Sequence, residues 1–254
     1  MAVIGIMDSG VGGLSVLREL YKALPGEHYI YYADNANCPY GEKSPEFILE
    51  RCREITRMML GRGAQAMVIA CNTATAAAIA ELRAEFDIPF IGMEPAVKPA
   101  ALGTRSGVIG VLATAGTLKA SKYLKTRGRF EDDVKIVEHV GSGFVELVEA
   151  GDTASQHARE VVGRSLQPLL DAGADNIVLG CTHYPFLQEL ISEMAGPAVK
   201  VIDPAPAVAR HLLEVLRERG ISETDPHPGV ELHASGSDKV LNSIWDFVLK
   251  SLTL

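Results

Sequence analysis

No run of basic residues occurs anywhere in this sequence. Lysine and arginine number 24 against 32 aspartates and glutamates, a formal net charge of −8, so neither nucleic acid nor an anionic membrane surface is an expected partner. An acidic small molecule stays open, because local backbone donors can outweigh a diffuse charge. No apolar run reaches the ~18 residues that a bilayer span needs. The opening Met1-Ala2-Val3-Ile4-Gly5 lacks the basic region and long apolar core of an export signal. Cysteine is sparse at four residues, and none forms a Cys-x-x-Cys pair. In a chain of this length without an export signal, those cysteines are expected to be thiols in a cytoplasmic protein. Cys181 and His183 supply only two of the four ligands of a structural zinc, so no metal is expected. No lysine stands in a recognisable Schiff-base context, so no pyridoxal cofactor is expected either. The glycine-rich turn Asp8-Ser9-Gly10-Val11-Gly12-Gly13 lacks the Gly-Lys-Ser/Thr of a P-loop and does not match Gly-x-Gly-x-x-Gly. Low-complexity linkers are missing as well.

What the sequence does have is a repeat. Met67-Val68-Ile69-Ala70-Cys71-Asn72-Thr73 is an apolar run ending in cysteine, followed by small polar residues and an alanine-rich helical pattern. The same plan returns as Ile177-Val178-Leu179-Gly180-Cys181-Thr182-His183, offset by 181 − 71 = 110 residues. Val3–Gly10 is matched by Val108–Ala115, with Ser9 opposite Thr114, and Glu94-Pro95-Ala96 is echoed by Asp203-Pro204-Ala205. A period this long means two related halves rather than a solenoid array. With 254 residues and 47% hydrophobic content, the chain can build a substantial core as one large or two medium domains.

Strand and helix signals alternate, which predicts an α/β fold with parallel sheets. In the first half, strands are expected at 3–7, 28–33, the Met67–Ala70 run that ends in Cys71, and 88–92, and helices at 14–24 and 45–60 and behind Cys71. Asn35–Gly41 reads as a loop. In the second half, strands are expected near 107–112, 134–138, 176–180 and 199–202. Helices fall near 117–126, 143–150, 155–172, 186–194 and 206–219, and a short strand (230–234) and closing helix complete the chain. The reading is two pseudo-symmetric parallel-sheet domains, flavodoxin-like or Rossmann-like, facing each other across a cleft. The first spans 1–96 plus 207–254 and the second 97–206, with the hinge near Pro95–Pro99 and the closing helix on the first half.

A cysteine at the carboxyl end of a parallel strand sits where such folds place reacting groups. A helix behind it offers free N–H groups and a dipole that bind carboxylates and favour a thiolate. Either cysteine alone reads as a small buried hydrophobe; their duplication, while the flanks diverge, points to chemistry. His183 could govern the proton on Cys181, although by position it equally reads as a solvent-facing residue at a helix start. Asp8 and Ser9 fall at the same sheet end as Cys71, and the plain alternative makes one of them a helix cap. Glu149 by pattern is an exposed acid. Cys52 lies on an apolar helical stripe and belongs to the core. Cys38, before Pro39-Tyr40-Gly41, has no echo and is expected near the cleft without a catalytic role.

Two opposed thiols suit removal of a proton from one face of a carbon and its return to the other. A free thiol with a pKa of about 8.5 is a few per cent ionised near pH 7, so full ionisation contributes about 2 kcal/mol at most. Orientation and donors aimed at the substrate carboxylate must supply the rest.

The motifs Asp8–Leu14, Pro39-Tyr40-Gly41, Cys71-Asn72-Thr73-Ala74, Glu94–Ala100 and Cys181-Thr182-His183-Tyr184-Pro185 together resemble the glutamate racemases of the aspartate/glutamate racemase superfamily, over most of the chain. The resemblance implies cofactor-independent interconversion of L- and D-glutamate, supplying D-glutamate for bacterial peptidoglycan. It implies Cys71 and Cys181 as proton donor and acceptor, Asp8 assisting Cys71, and His183 and Glu149 assisting Cys181. Substrate contacts would fall on Asp8, Ser9, Pro39, Tyr40, Gly41, Asn72, Thr73, Thr114, Thr182 and His183, and a homodimer is implied. Cys38 is an extra thiol outside that pattern. Three other readings stay open: an aspartate racemase, separated by a substrate panel; a binding module, separated by turnover in Cys→Ser variants; and a redox protein, which predicts a Cys71–Cys181 disulfide.

Overall fold

The structure is a computed structural model that describes residues 2–221 and 228–252. The chain divides into two compact units, Met1–Met93 with Ala205–Leu254, and Glu94–Pro204. Each contains one parallel sheet.

The first unit holds β1 (Val3–Asp8), β2 (His28–Ala33), β3 (Ala66–Ile69), β4 (Phe90–Gly92) and β9 (Gly229–Ala234) in the order β4-β3-β1-β2-β9. The second holds β5 (Val108–Ala113), β6 (Lys135–Val140), β7 (Asn176–Gly180) and β8 (Lys200–Ile202) in the order β6-β5-β7-β8. Read from the opposite edge, the second sheet is β8-β7-β5-β6, the order of β4-β3-β1-β2. The repeat seen in the sequence is therefore a repeat of topology. Every described strand pair is parallel. Central strands β3 and β7 are buried along their whole length, which is why they read as unbroken apolar runs. Edge strand β6 mixes Lys135, Glu138 and His139 with apolar residues and is only partly covered.

Helices cover these sheets: α1 (Leu14–Ala23), α2 (Pro45–Gly61), α3 (Asn72–Glu85), α4 (Val97–Gly103), α5 (Ala115–Lys119), α6 (Ser121–Arg127), α7 (Phe144–Glu149), α8 (Gln156–Asp171), α9 (Gln188–Ala195), α10 (Ala205–Glu218) and α11 (Lys239–Leu252). Helix α2 starts where Ser44 accepts from the Phe47 N–H ahead of Pro45. Its buried stripe of Ile48, Cys52, Ile55 and Met59 packs with Met7, Ile30, Met67, Ile69 and the α3 residues Ala74, Ala78 and Leu82. In the second unit, Val97 and Ala100 of α4 pack on Ile109, Val111, Tyr123 and Val178. Helix α11 lies against α1, with the Trp245 ring edge-on to Tyr21 at 6.2 Å.

Four local expectations are corrected. Helix α4 (Val97–Gly103) was not expected and begins within the Pro95–Pro99 stretch; Pro99 falls in its first turn, where an N–H would go unbonded in any case. The helix expected over 117–126 is two, divided at extended Ala120, and no Gly or Pro marks the break. The helix expected at 186–194 begins as a 3-10 turn, Tyr184–Leu187, before α9. Neither Asp8 nor Ser9 caps α1, which starts behind Gly13.

Asp175 ties the turn before β5 to the start of β7. It accepts from Thr104 Oγ1 at 2.6 Å and from the Arg105 and Ser106 N–H groups at 2.7 and 2.9 Å. Burial opposes its charge, but these hydrogen bonds prevail and hold its pKa at about 2. Among the described residues, no helix is long and apolar enough to cross a membrane.

Candidate active site

In both sheets the order in which strands are added reverses at the equivalent point, with all strands still parallel. The chain lays β2 on one side of β1 and then crosses to put β3 on the other; β5, β6 and β7 do the same. Ligands of open α/β sheets bind beyond the carboxyl ends of the strands at such a switch. Register places the sequence-selected residues there. Met7 pairs with Ile69, so Asp8-Ser9 leave β1 beside Ala70-Cys71. Ala113 pairs with Gly180, so Thr114 leaves β5 beside Cys181.

In the first unit, Cys71 is the N-cap of α3, and its Sγ accepts the Ala74 N–H at 3.4 Å. The thiol points to Ser9 Oγ at 3.7 Å. A helix N-terminus directed at sulfur favours the thiolate. Asp8 is fully buried and accepts the Gly10 N–H at 3.0 Å, closing the glycine-rich turn. That turn cannot be built with a side chain at residue 13. A Cβ there would stand 2.7 Å from both Asp8 Cβ and Tyr31 Oη. Tyr31 itself donates to the Gly10 carbonyl at 2.7 Å. Asn72 and Thr73, both buried, open α3. Neither Oδ1 nor Nδ2 of Asn72 has a hydrogen-bond partner, which marks a place for a ligand with a donor and an acceptor.

The Pro39-Tyr40-Gly41 segment follows a cis Cys38–Pro39 peptide. Tyr40 is turned into the core, and its hydroxyl donates to Asp34 Oδ2 at 2.6 Å. Asp34, wholly buried, also takes a two-pronged Arg51 guanidinium, 2.9 Å to each oxygen, and the Asn37 amide at 3.1 Å. Burial would raise the Asp34 pKa, but the bonds from Arg51, Tyr40, Asn37 and Ser235 outweigh it and hold the carboxyl below its usual range. Tyr40 is pushed up by burial and by this carboxylate. The loop is thus fixed by a buried carboxylate that the sequence reading missed; Asp34-Asn35 after a strand looks like any turn. Cys38 is half-buried, and Cys52 is fully buried on the inner face of α2. All four cysteines are free thiols.

In the second unit, Cys181 follows β7 but does not cap a regular helix, because the 3-10 turn with Pro185 intervenes. The helix-dipole argument therefore holds for Cys71 and not for Cys181. In its place stands His183, only 1% exposed, which removes the solvent-facing alternative. Its Nδ1 lies 3.8 Å from Cys181 Sγ and its Nε2 2.7 Å from Glu149 Oε1. An ionised carboxylate can only accept, so Glu149 assigns the ring proton to Nε2 and leaves Nδ1 to accept from the thiol. Glu149 ends α7 and is half-buried rather than an exposed acid. Thr182, which separates Cys181 from His183 in the sequence, is also buried. Thr114 caps α5, accepting the Thr117 N–H and donating to Thr117 Oγ1 at 3.0 Å. The two thiols thus share a position in the fold and differ in their proton partners.

The profile of the Asp/Glu/hydantoin racemase family matches residues 4–212. A glutamate racemase of Pseudomonas putida (strain W619) is 49% identical over 244 residues, covering 96% of this chain and 92% of its own. Among solved structures, Escherichia coli glutamate racemase in complex with L-glutamate and the activator UDP-MurNAc-Ala superposes with a TM-score of 0.88 at 34% identity, covering 97% of this chain and 95% of that one. Glutamate racemase from Francisella tularensis in complex with D-glutamate gives 0.82 at 27% identity, covering 98% and 94%.

Proposed function

Since the chain belongs to the Asp/Glu/hydantoin racemase family, we propose that it interconverts L- and D-glutamate by a two-thiol mechanism that uses no cofactor. The observation that carries the mechanism is the cysteine at the same strand end of each repeated sheet, each with its own proton partner. One thiolate removes the α-proton, and the opposed thiol delivers a proton to the other face. Cys71 works with Ser9, Asp8 and the α3 N-terminus; Cys181 works with His183, whose ring is held by Glu149. The unpaired Asn72 amide, with Ser9, Thr73, Thr114, Thr182 and the Pro39–Gly41 backbone, binds the substrate's carboxylates and ammonium. These donors supply the stabilisation of the developing carbanion that thiol ionisation alone does not.

Glutamate is favoured as substrate by the relatives, which carry that name at about half identity and in complexes with each enantiomer. The biological role is supply of D-glutamate for peptidoglycan, in the cytoplasm, by a homodimer. Incubation of either enantiomer in heavy water is expected to place deuterium at the α-carbon. Lack of exchange from both would end the proposal, as would full turnover by Cys71→Ser and Cys181→Ser. Turnover of aspartate in preference to glutamate would retain the mechanism and change the substrate. Growth of a D-glutamate auxotroph carrying this gene tests the role.

A further inference from the structure

The pair His183–Glu149 joins the end of α7 to the turn after β7, two segments separated in sequence by α8 and β7. His183 precedes the 3-10 turn Tyr184–Leu187, and Glu149 is the last residue of the six-residue α7. A 2.7 Å contact between them needs something to fix α7 against the turn. Tyr184 is the side chain placed to do so. It is completely buried, its ring meets Phe144, the first residue of α7, edge-on at 4.9 Å, and its hydroxyl donates to the Gly141 carbonyl at 3.2 Å. That carbonyl also accepts the Phe144 N–H at 3.2 Å, so one oxygen ties the start of α7 to Tyr184. The fit is close: a Cβ on Gly141 would stand 2.5 Å from Tyr184 Oη and 2.6 Å from Cζ. Gly143, which leads into α7, takes a φ of 84° that lets the chain turn there.

We infer that Tyr184 is a positioning residue for the His183–Glu149 pair, and through it for the protonation of Cys181. The inference rests on the proposed role of Cys181. Tyr184 directs its hydroxyl to the Gly141 carbonyl rather than to a thiol. It sets the distance at which α7 presents Glu149 to Nε2, and so which ring nitrogen is left to accept the Cys181 proton. Burial first, and then the charges of Cys181 and of Glu146 on α7, push the Tyr184 hydroxyl well above its usual range; Glu149 is the other acid of that helix. Sequence alone hides this role, because a tyrosine before proline reads as part of the motif's fixed spelling.

The test is alkylation of the individual thiols by iodoacetamide between about pH 6 and 9, where a thiol with a free pKa near 8.5 changes its ionised fraction. Mass spectrometry of peptides reads each cysteine in the intact protein. In Tyr184→Phe, Cys181 is expected to react about fivefold more slowly at pH 7, the ratio carried by one hydrogen bond of ordinary strength, with its pH profile moved upward. Glu149→Gln should move the same profile in the same direction. Gly141→Ala, which keeps the hydroxyl but displaces the ring, should do likewise. Cys71 is the internal control for the other unit, and Cys52, fully buried, reports general loosening; both should react as in the wild type. A Cys181 profile unmoved by Tyr184→Phe, or moved only together with Cys71 or Cys52, overturns the inference. So does a profile that Glu149→Gln leaves alone. Because alkylation needs no turnover, loss of deuterium exchange in the wild type would sink the proposed reaction without touching this result. An unmoved Cys181 in an active enzyme would do the reverse.

Discussion

Both polar atoms of the Asn72 carboxamide are buried without a partner, and an amide left so costs about 1–3 kcal/mol. Asn72→Ala removes that cost and adds helix propensity at the start of α3. The variant is expected to melt no lower than the wild type while its KM for glutamate rises about tenfold, as loss of a hydrogen bond to a charged group implies. A melting curve beside a Michaelis curve checks both halves. Asp34 gives the opposite case. Arg51→Ala leaves a buried carboxylate with its bonds from Tyr40, Asn37 and Ser235 but no cation, which is expected to destabilise the first unit by about 3 kcal/mol. The Asp34 pKa is depressed on folding, so its contribution is present above the ordinary carboxylate value and lost as pH falls below it. In Arg51→Ala this acid-side loss should shrink, which Tm measured against pH will show.

At the scale of elements, what could be read in the sequence followed from burial. Central strands β1, β3, β5 and β7 are enclosed on both faces, so their apolar runs stood out and their ends, with Cys71 and Cys181, were placed within a residue or two. Helix α2 was legible from Ser44-Pro45 and its stripe. Helix α4 was not, because Pro95 and Pro99 suggest a break when only local spelling is seen. The turn after Cys181 was taken for a helix because the repeat invited it, yet Pro185 and the tertiary hold of Tyr184 decide its form. Hydrogen bonds between distant segments, such as Asp34 with Arg51 and Glu149 with His183, leave no periodic trace. Asp175 is of that kind: it binds a turn 70 residues away. Its pKa drops from 3.8 to about 2, so its stabilisation is full above 3.8 and disappears as pH falls through 2. The site is largely solvated, so Asp175→Ala is expected to lower stability by only about 1 kcal/mol at pH 7. The difference from wild type should vanish near pH 2, which urea titrations at both pH values would test.

For the whole molecule, the parallel between β4-β3-β1-β2 and β8-β7-β5-β6 explains how one chain comes to hold two cysteines in equivalent places with unequal neighbours. Repetition of the scaffold fixes where each sulfur sits, and divergence of the loops decides what handles its proton. The sheets differ in one respect. β9 pairs along the full length of β2, from His28 opposite Gly229 to Ala33 opposite Ala234, and the second sheet has no counterpart among the described strands. Deleting 229–254 would bare the β2 edge and the α1 surface under Trp245. Such a deletion is expected to give aggregated protein, with most material in the pellet after lysis.

That last strand also sets an order of events during synthesis. Glu94–Pro204 is an uninterrupted stretch and is synthesised in full before Gly229, whereas the other sheet must wait for it. A nascent chain therefore holds every strand of one sheet while the sheet begun first still lacks its outermost member, and a stalled ribosome would display the edge of β2 to whatever chaperone or neighbouring chain reaches it first.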